Sequence, residues 1–282
     1  MSDQSPAARV GPFNRALARL LRASLVVDQS AVLFDRLRSR VVCTLAPDGV
    51  LEAYNALAYG GSGAYQPRQG AFRSEWFPWE RRAVDAYFPA PPGRVLIGGA
   101  GGGREAHQLV ARGYDVVAFD PVRALVVDLE RGVAGAGRLT AYVGSYETLP
   151  RLQSTGDGTS VTMEAADRFD AAICGWGSLA HVRRDADRVA ALRLVAALVD
   201  GPILISVYGS IWQPSNAPGI RGAASRWLYG DGAAFLPGIG RVQTFDEPSF
   251  RDLIARAGLE TLFFSTSPAV DNWPHAVVRQ PR

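Results

Sequence analysis

Apolar residues recur at helical spacing near the start of the chain: Phe13, Leu17, Leu20 and Leu21, then Leu33, Phe34, Leu37 and Val41. The spacing predicts two short amphipathic helices, each needing a surface on which to bury its stripe. Residues 64–88 are dense in rings (Tyr65, Phe72, Trp76, Phe77, Trp79, Tyr87, Phe88), and Pro89, Pro91, Pro92 and Gly93 then interrupt the chain, so a boundary is expected at residue 92.

Beyond that boundary short apolar runs alternate with helical patterns. Strands are predicted at 94–98, 115–119, 140–143, 169–174 and 202–207, and helices at 105–112, 122–131 and 185–199. The polar stretch 153–167 reads as a loop, and the Gly- and Pro-rich segment 209–240 as an irregular excursion on the substrate side of the sheet. A helix at 248–256 stops at Gly258, and strands at 260–265 and 276–279 follow. Only about ten residues, two of them proline, separate that last pair, too few for a helical crossover, so the pair is expected to be antiparallel. Strands alternating with helices imply an α/β class, a doubly wound, mostly parallel sheet covered on both faces. The organisation expected is an N-terminal helical lid over residues 1–92 and a ligand-binding domain over 93–282.

Composition sharpens this only in places. At 282 residues and 48% hydrophobic the chain can bury a real core, which excludes a disordered protein, and two cysteines exclude a disulfide scaffold. No apolar run approaches the length of a membrane span and the first residues lack the order of a signal peptide, so a soluble, cytoplasmic protein without a membrane partner is expected. The net charge of +3 comes with arginine as the sole basic type, and the early arginines are spread along a helix rather than clustered, which argues against a nucleic-acid partner.

The sharpest feature is the run Arg94-Val-Leu-Ile-Gly-Gly-Ala-Gly-Gly-Gly-Arg-Glu105, a buried strand entering a glycine turn that opens a helix. Glycine suits such a turn because it admits positive φ and lets a ligand lie against bare N–H groups. Asp120, 21 residues beyond Gly99 at the end of the next strand, can accept hydrogen bonds from both hydroxyls of a ribose. Dinucleotides and S-adenosylmethionine share this logic. The dinucleotide spacing needs a third glycine where Arg104 stands, or a shifted register ending at Ala106; the spacing Gly99-Ala100-Gly101-Gly102-Gly103 fits S-adenosylmethionine without a shift.

These segments together resemble the class I S-adenosylmethionine-dependent methyltransferases of small molecules. The resemblance runs from about Tyr54 to the C-terminus through Val95–Gly103, Ala118-Phe-Asp-Pro121, Gly144-Ser-Tyr-Glu-Thr-Leu-Pro150, Phe169–Trp176 with His181-Val182 beyond, and Ala257-Gly-Leu-Glu260. It implies a seven-stranded Rossmann-like sheet whose last strand is antiparallel. It further implies that Gly99, Ala100, Gly101 and Gly103 lie against the methionine part of the cofactor, that Asp120 and Pro121 hold the ribose, and that Ser145 and Tyr146 lie beside the adenine. Gly175 and Trp176 would approach the methionine amine or the transferred methyl, the stretch Tyr54–Tyr59 would cover the sulfonium from the lid, and Tyr65 would be a further contact to the cofactor. Two positions depart from the family pattern. Ser145 stands where an aspartate often meets the adenine. Ile97 stands where many members carry an acid that anchors the methionine amino group, leaving that task to backbone carbonyls or to a lid residue such as Tyr59 or Tyr65.

Methyl transfer asks mainly for alignment and exclusion of water, with a base where the nucleophile is oxygen. His181, following the strand at 169–174, is the candidate base; the alternative is that it caps or packs at the next helix. His107 and His275 read as structural, and the spacing of histidines and cysteines suggests no metal site. Tyr59, Tyr208, Trp212 and Trp227 are candidates for a wall around a flat or lipophilic acceptor, whereas Trp76 and Trp79 read as core. The expected activity is methylation of a small acceptor at oxygen or nitrogen. The alternatives are an S-adenosylmethionine-binding protein without transfer activity and a nicotinamide-dependent oxidoreductase.

Overall fold

The computed structural model describes residues 12–61, 65–66, 75–131, 135–163, 168–210, 220, 227–228, 232–266 and 273–281. It opens with one continuous helix, α1 (Pro12–Leu45), followed by α2 (Asp48–Gly61) and α3 (Pro78–Tyr87). The two short helices expected at the start are therefore one. No glycine or proline lies between Pro12 and Pro47, so nothing in the sequence forces a break.

The α/β part follows as β1 (Arg94–Gly98), α4 (Arg104–Ala111), β2 (Asp115–Asp120), α5 (Arg123–Arg131), β3 (Leu139–Val143), β4 (Arg151–Ser154), β5 (Ser160–Thr162) and β6 (Ala171–Cys174). A 3-10 turn (Ser178–His181), α6 (Asp185–Leu198), β7 (Ile203–Ser206), β8 (Tyr208–Gly209), β9 (Ala233–Leu236) and β10 (Gly240–Phe245) come next. The chain ends with α7 (Glu247–Arg256), β11 (Glu260–Ser265) and β12 (His275–Arg279).

Among the described residues nine strands form one sheet in the order β11-β12-β7-β6-β1-β2-β3-β4-β5. β3, β2, β1, β6 and β7 are parallel neighbours, and β12 enters antiparallel to both β7 and β11. That is the antiparallel ending the short connector requires. The expected seven strands are all present, and β4 and β5 extend the sheet beyond them as an antiparallel pair. The segment read as a loop from 153 is thus partly a hairpin. Its strands are largely exposed, with only Leu152 buried, so they carry no apolar pattern; the Asp157-Gly158 turn, with Gly158 at φ 72°, is the local sign of it.

Strand side chains alternate between two apolar layers. Val95 and Ile97 face α3 and α4 with Trp76, Trp79, Val84 and Leu109, while Leu96 faces the opposite layer with Phe119, Leu192 and Phe250. Covered on both sides, the central strands read as unbroken apolar runs. Trp76 and Trp79 are core residues, as their sequence context suggested.

The excursion at 209–240 holds more order than expected. β9 and β10 form an antiparallel hairpin, and β8 pairs with β10 in a second sheet of three strands. The N-terminal helices dock there. The Phe235 N–H donates to Ser39 Oγ at 2.7 Å, the Gly238 N–H donates to Tyr54 Oη at 3.1 Å, and the Tyr54 and Phe235 rings meet at 4.9 Å. No helix among the described residues is long and apolar enough to cross a membrane.

Candidate functional site

The order of strands reverses beside β1, whose neighbours are β2 and β6, and crevices open at the carboxyl edge of such sheets. There a cavity of about 1060 Å³ runs from the glycine turn after β1, past the ends of β2 and β3, and out between α2 and the 3-10 turn.

The glycines divide into two kinds. Gly99 and Gly103 have positive φ (65° and 90°) and leave no room for a side chain: a Cβ on the first would run into Ser178, and one on the second into Leu129. Gly101 (φ 53°) is different, since a Cβ there would meet only Tyr65 Cδ1, at 3.8 Å. Gly99, Ala100 and Gly101 line the cavity, whereas Gly103 caps α4 and packs against α5, and is not part of the wall. Gly175 also stands behind the wall, close to Glu105.

Asp120, the last residue of β2, is 7% exposed and reaches the cavity wall. Its Oδ2 accepts the Gly101 N–H at 2.9 Å and its Oδ1 the Val122 N–H at 2.8 Å. Burial lifts its carboxyl to about 6, against the pull of those two N–H groups. Each oxygen keeps a lone pair, so the group can accept two further hydrogen bonds from a ligand. Pro121, Ser145 and Tyr146 continue the same wall. Tyr146 is more wedge than platform: its hydroxyl lies 2.8 Å from Ser178 Oγ, its ring packs edge-on against Phe119 at 5.3 Å, and a Cβ on Gly98 would come within 2.6 Å of its hydroxyl.

Toward the other end Tyr59, Tyr65, Phe77 and Trp176 supply aromatic wall. Tyr59 meets Tyr65 edge-on at 4.7 Å and His181 at 5.4 Å, and Tyr65 lies 5.6 Å from Trp176. His181 is held at both nitrogens. Its Nδ1 lies 3.1 Å from the Arg241 carbonyl oxygen, which can only accept, so Nδ1 carries the proton and Nε2 accepts from the Tyr59 hydroxyl at 2.7 Å. Burial holds His181 down at about 4, and burial first, then the neighbouring phenols, raises Tyr59 well above the ordinary tyrosine value. The imidazole is therefore neutral near pH 7.

The remaining aromatic candidates fall elsewhere. Tyr208 stands behind the wall, edge-on to Trp273 at 5.0 Å and to His181 at 6.2 Å. Trp227 does not line the cavity: its ring is 52% exposed and lies 5.7 Å from the guanidinium of Arg40 on α1. Trp212 falls outside the described residues. His107 lies within α4, and His275 starts β12 with Nδ1 donating to the Trp273 carbonyl at 2.9 Å, both structural positions. Among the described residues no group of three His, Cys, Asp or Glu is placed to hold a metal ion.

Two parts of the wall carry little signal in the sequence pattern. The far end is polar, built from Glu52 and Asn55 of α2 with Arg183 and Arg241, and Arg241 arrives there on a hairpin whose Gly- and Pro-rich context predicts no strand. The near end includes Arg104 and Glu105, an acid and a base adjoining the glycines, whose position in the first turn of α4 was the available signal.

No family model matches the chain. Over 107 residues it is 34% identical to uncharacterized methyltransferases of Mycobacterium tuberculosis and Mycobacterium bovis; the match spans 38% of this chain and 40% of the length of those curated relatives. Among solved structures it is similar to an S-adenosylmethionine-dependent methyltransferase from Methanosarcina mazei, with TM-score 0.50 and 14% identity over 74% of this chain and all of that one. It is also similar to a protein from Rhodobacter sphaeroides described as a Zn-dependent alcohol dehydrogenase, with TM-score 0.53 and 13% identity over 81% and 99% of the two chains. At such identities the likeness speaks to the fold, which both chemistries share, and the choice between them falls to the site.

Proposed function

We propose that the chain is an S-adenosylmethionine-dependent methyltransferase acting on a small acceptor, and that it works in the cytoplasm. The observation that carries the reading is the single cavity joining a buried, doubly N–H-anchored carboxylate, Asp120, to an aromatic chamber closed by Tyr59 and His181. The partial likeness to methyltransferases of Mycobacterium and the antiparallel entry of β12 support the same reading. The residues suit the cofactor: Gly101 presents backbone to the cavity with only the Tyr65 ring across from it, and Asp120 has acceptor capacity left for a ribose. When bound, the cofactor supplies an electrophilic methyl group on a sulfonium.

The chain's own part is to hold, align and keep dry. Asp120 fixes the ribose, the backbone of Gly99 to Gly101 runs along the methionine part, and Ser145 stands at the adenine. Tyr65, Phe77 and Trp176 form aromatic wall beside the reacting end, where ring faces favour positive charge. Tyr59 meets the acceptor, and His181 orients Tyr59 by taking its proton in a hydrogen bond. An imidazole held at about 4 is a poor base for a hydroxyl, whereas a neutral amine needs only its lone pair aimed at the methyl. The arrangement thus favours nitrogen over oxygen, in an acceptor with a flat body for the aromatic chamber and polar groups for Asn55, Glu52 and Arg241.

Titration calorimetry with S-adenosylhomocysteine and with NADP tests the reading. Micromolar binding of the first alone is expected; binding of the nicotinamide nucleotide alone overturns it. A protein that binds S-adenosylhomocysteine yet transfers no methyl to any amine or phenol in an acceptor panel would be a binding protein instead.

A further inference from the structure

Ile97 cannot anchor an amino group. It is wholly buried, packed with Val95, Trp79 and Ala106 between α3 and α4, in register with Ala118 of β2 and Ile173 of β6. Nearer the cavity lies a buried charged cluster joining two helices: Glu80 of α3 with Arg104 and Glu105 of α4.

Arg104 is clamped by Glu80 through both terminal nitrogens, with Nη2 to Oε1 at 2.7 Å, and Nη2 also donates to Glu105 Oε1 at 2.6 Å. Glu80 is used up: its Oε2 also accepts the Phe77 N–H at 2.9 Å. Glu105 is not. It is 5% exposed and reaches the cavity, and of its two oxygens only Oε1 is given a hydrogen bond among the described residues. That oxygen lies over the diverging ends of β1 and β6, 3.2 Å from where a Cβ on Gly175 would stand. A side chain at 175 would crowd the carboxylate, so the glycine there keeps the space for it.

The charges do not balance either. Two carboxylates surround one guanidinium in a buried place, which costs stability unless a second cation joins them. Burial, and after it the neighbouring Glu105 carboxylate, push the Glu80 carboxyl above its usual range against the pull of Arg104. The guanidinium itself is roofed by rings, 4.3 Å from the Phe77 centroid and 5.6 Å from that of Trp176, which favours its charge there.

We infer that Glu105, steadied by Arg104 and Glu80, is the receptor for the α-ammonium at the amino-acid end of the cofactor, taking on α4 the place that Ile97 leaves vacant on β1. This rests on the methyltransferase reading, and it predicts more than that reading does: recognition of the amine should pass through one carboxylate in the first turn of α4.

The test is a ligand-and-mutant cycle by titration calorimetry. The ligands are S-adenosylhomocysteine, its des-amino analogue and 5′-methylthioadenosine, which lacks the amino-acid end altogether; the proteins are wild type and Glu105→Gln. In wild type, loss of the amine is expected to weaken binding by about tenfold or more, the size of a charge-assisted hydrogen bond. In Glu105→Gln the two longer ligands should bind alike, and 5′-methylthioadenosine as in wild type. Equal weakening of all three ligands would make Glu105 a support of the fold, and an undiminished preference for the amine would place the receptor elsewhere; either result overturns the inference. Failure of wild type to bind any of the three would strike the methyltransferase reading instead.

Discussion

Acidification should loosen the hold on an adenosyl ligand while it relieves the fold, because both effects come from Asp120. Among the described residues the carboxylate has no cationic partner, and burial lifts it to about 6 although two backbone N–H bonds pull the other way. Only the ionised form can accept both ribose hydroxyls. Between about pH 7.5 and about pH 5 the ionised share falls from nearly all to about one part in eleven, so affinity should drop about tenfold, roughly 1.4 kcal/mol. For folding the sign is opposite. A carboxyl raised on folding contributes stability that is complete below its unfolded value near 4 and is lost as pH rises through about 6, and the same pH interval carries a gain of about 1.4 kcal/mol on acidification. The ligand of choice is 5′-methylthioadenosine, which bypasses Glu80 and Glu105. Calorimetric Kd values in half-unit pH steps, for wild type and Asp120→Asn, read the binding effect; urea unfolding of the same pair reads the other. A wild-type affinity that is flat across the interval, or a slope that persists in Asp120→Asn, would refute the assignment of the ribose to this carboxylate.

The two turn glycines should separate stability from binding. Gly99→Ala combines a left-handed backbone with overlap on Ser178 and should cost about 2–5 kcal/mol in urea unfolding, whereas Gly101→Ala carries the backbone penalty alone, about 1–2 kcal/mol, yet should weaken S-adenosylhomocysteine at least about tenfold by standing in its path. His181→Gln, with the amide able to accept from Tyr59, should lower kcat less than about tenfold on an amine acceptor and leave cofactor affinity unchanged; a larger loss would show that the imbalance of its basicity is overcome in the reaction. Trp227→Ala should leave both ligand affinity and stability within about 0.5 kcal/mol of wild type, since its ring is half-exposed and touches Arg40, and a loss of binding would bring the segment back to the cavity.

What could be read in the chain was what repeats a local rule. The central strands are apolar on both faces and the turn after β1 is glycine, so the sheet and its acid at Asp120 follow from sequence spacing, as does the antiparallel β12 from a connector too short for a helix. The hairpin β4–β5 escaped because an edge hairpin buries almost nothing, and β9–β10 because its partners, α1 and α2, lie some two hundred residues away, as the Ser39 to Phe235 contact shows. The same distance hid Arg241, whose carbonyl fixes the His181 tautomer. Glu105 was hidden differently: an acid in the first turn of a helix is so ordinary a feature that its neighbourhood with Gly175, just past the end of β6, is what gives it meaning.

The two ends of the cavity therefore have different origins. Asp120, the glycine turn and Glu105 stand on β1, β2 and α4, elements of the sheet that hold one another in place. Tyr59 and Asn55 stand on α2, and the Arg241 carbonyl on β10, which packs against α2. The proton arrangement of His181 exists only while those two appended pieces are docked, because one supplies the donor to Nε2 and the other the acceptor for Nδ1. A change at the Tyr54 to Gly238 contact would thus reach the imidazole without touching Asp120. On the proposed methyltransferase reading, acceptor choice would be altered through α2 and the β9–β10 hairpin while the cofactor end stays as it is, and the polar far end, Glu52, Asn55 and Arg241, is where such choice would be written.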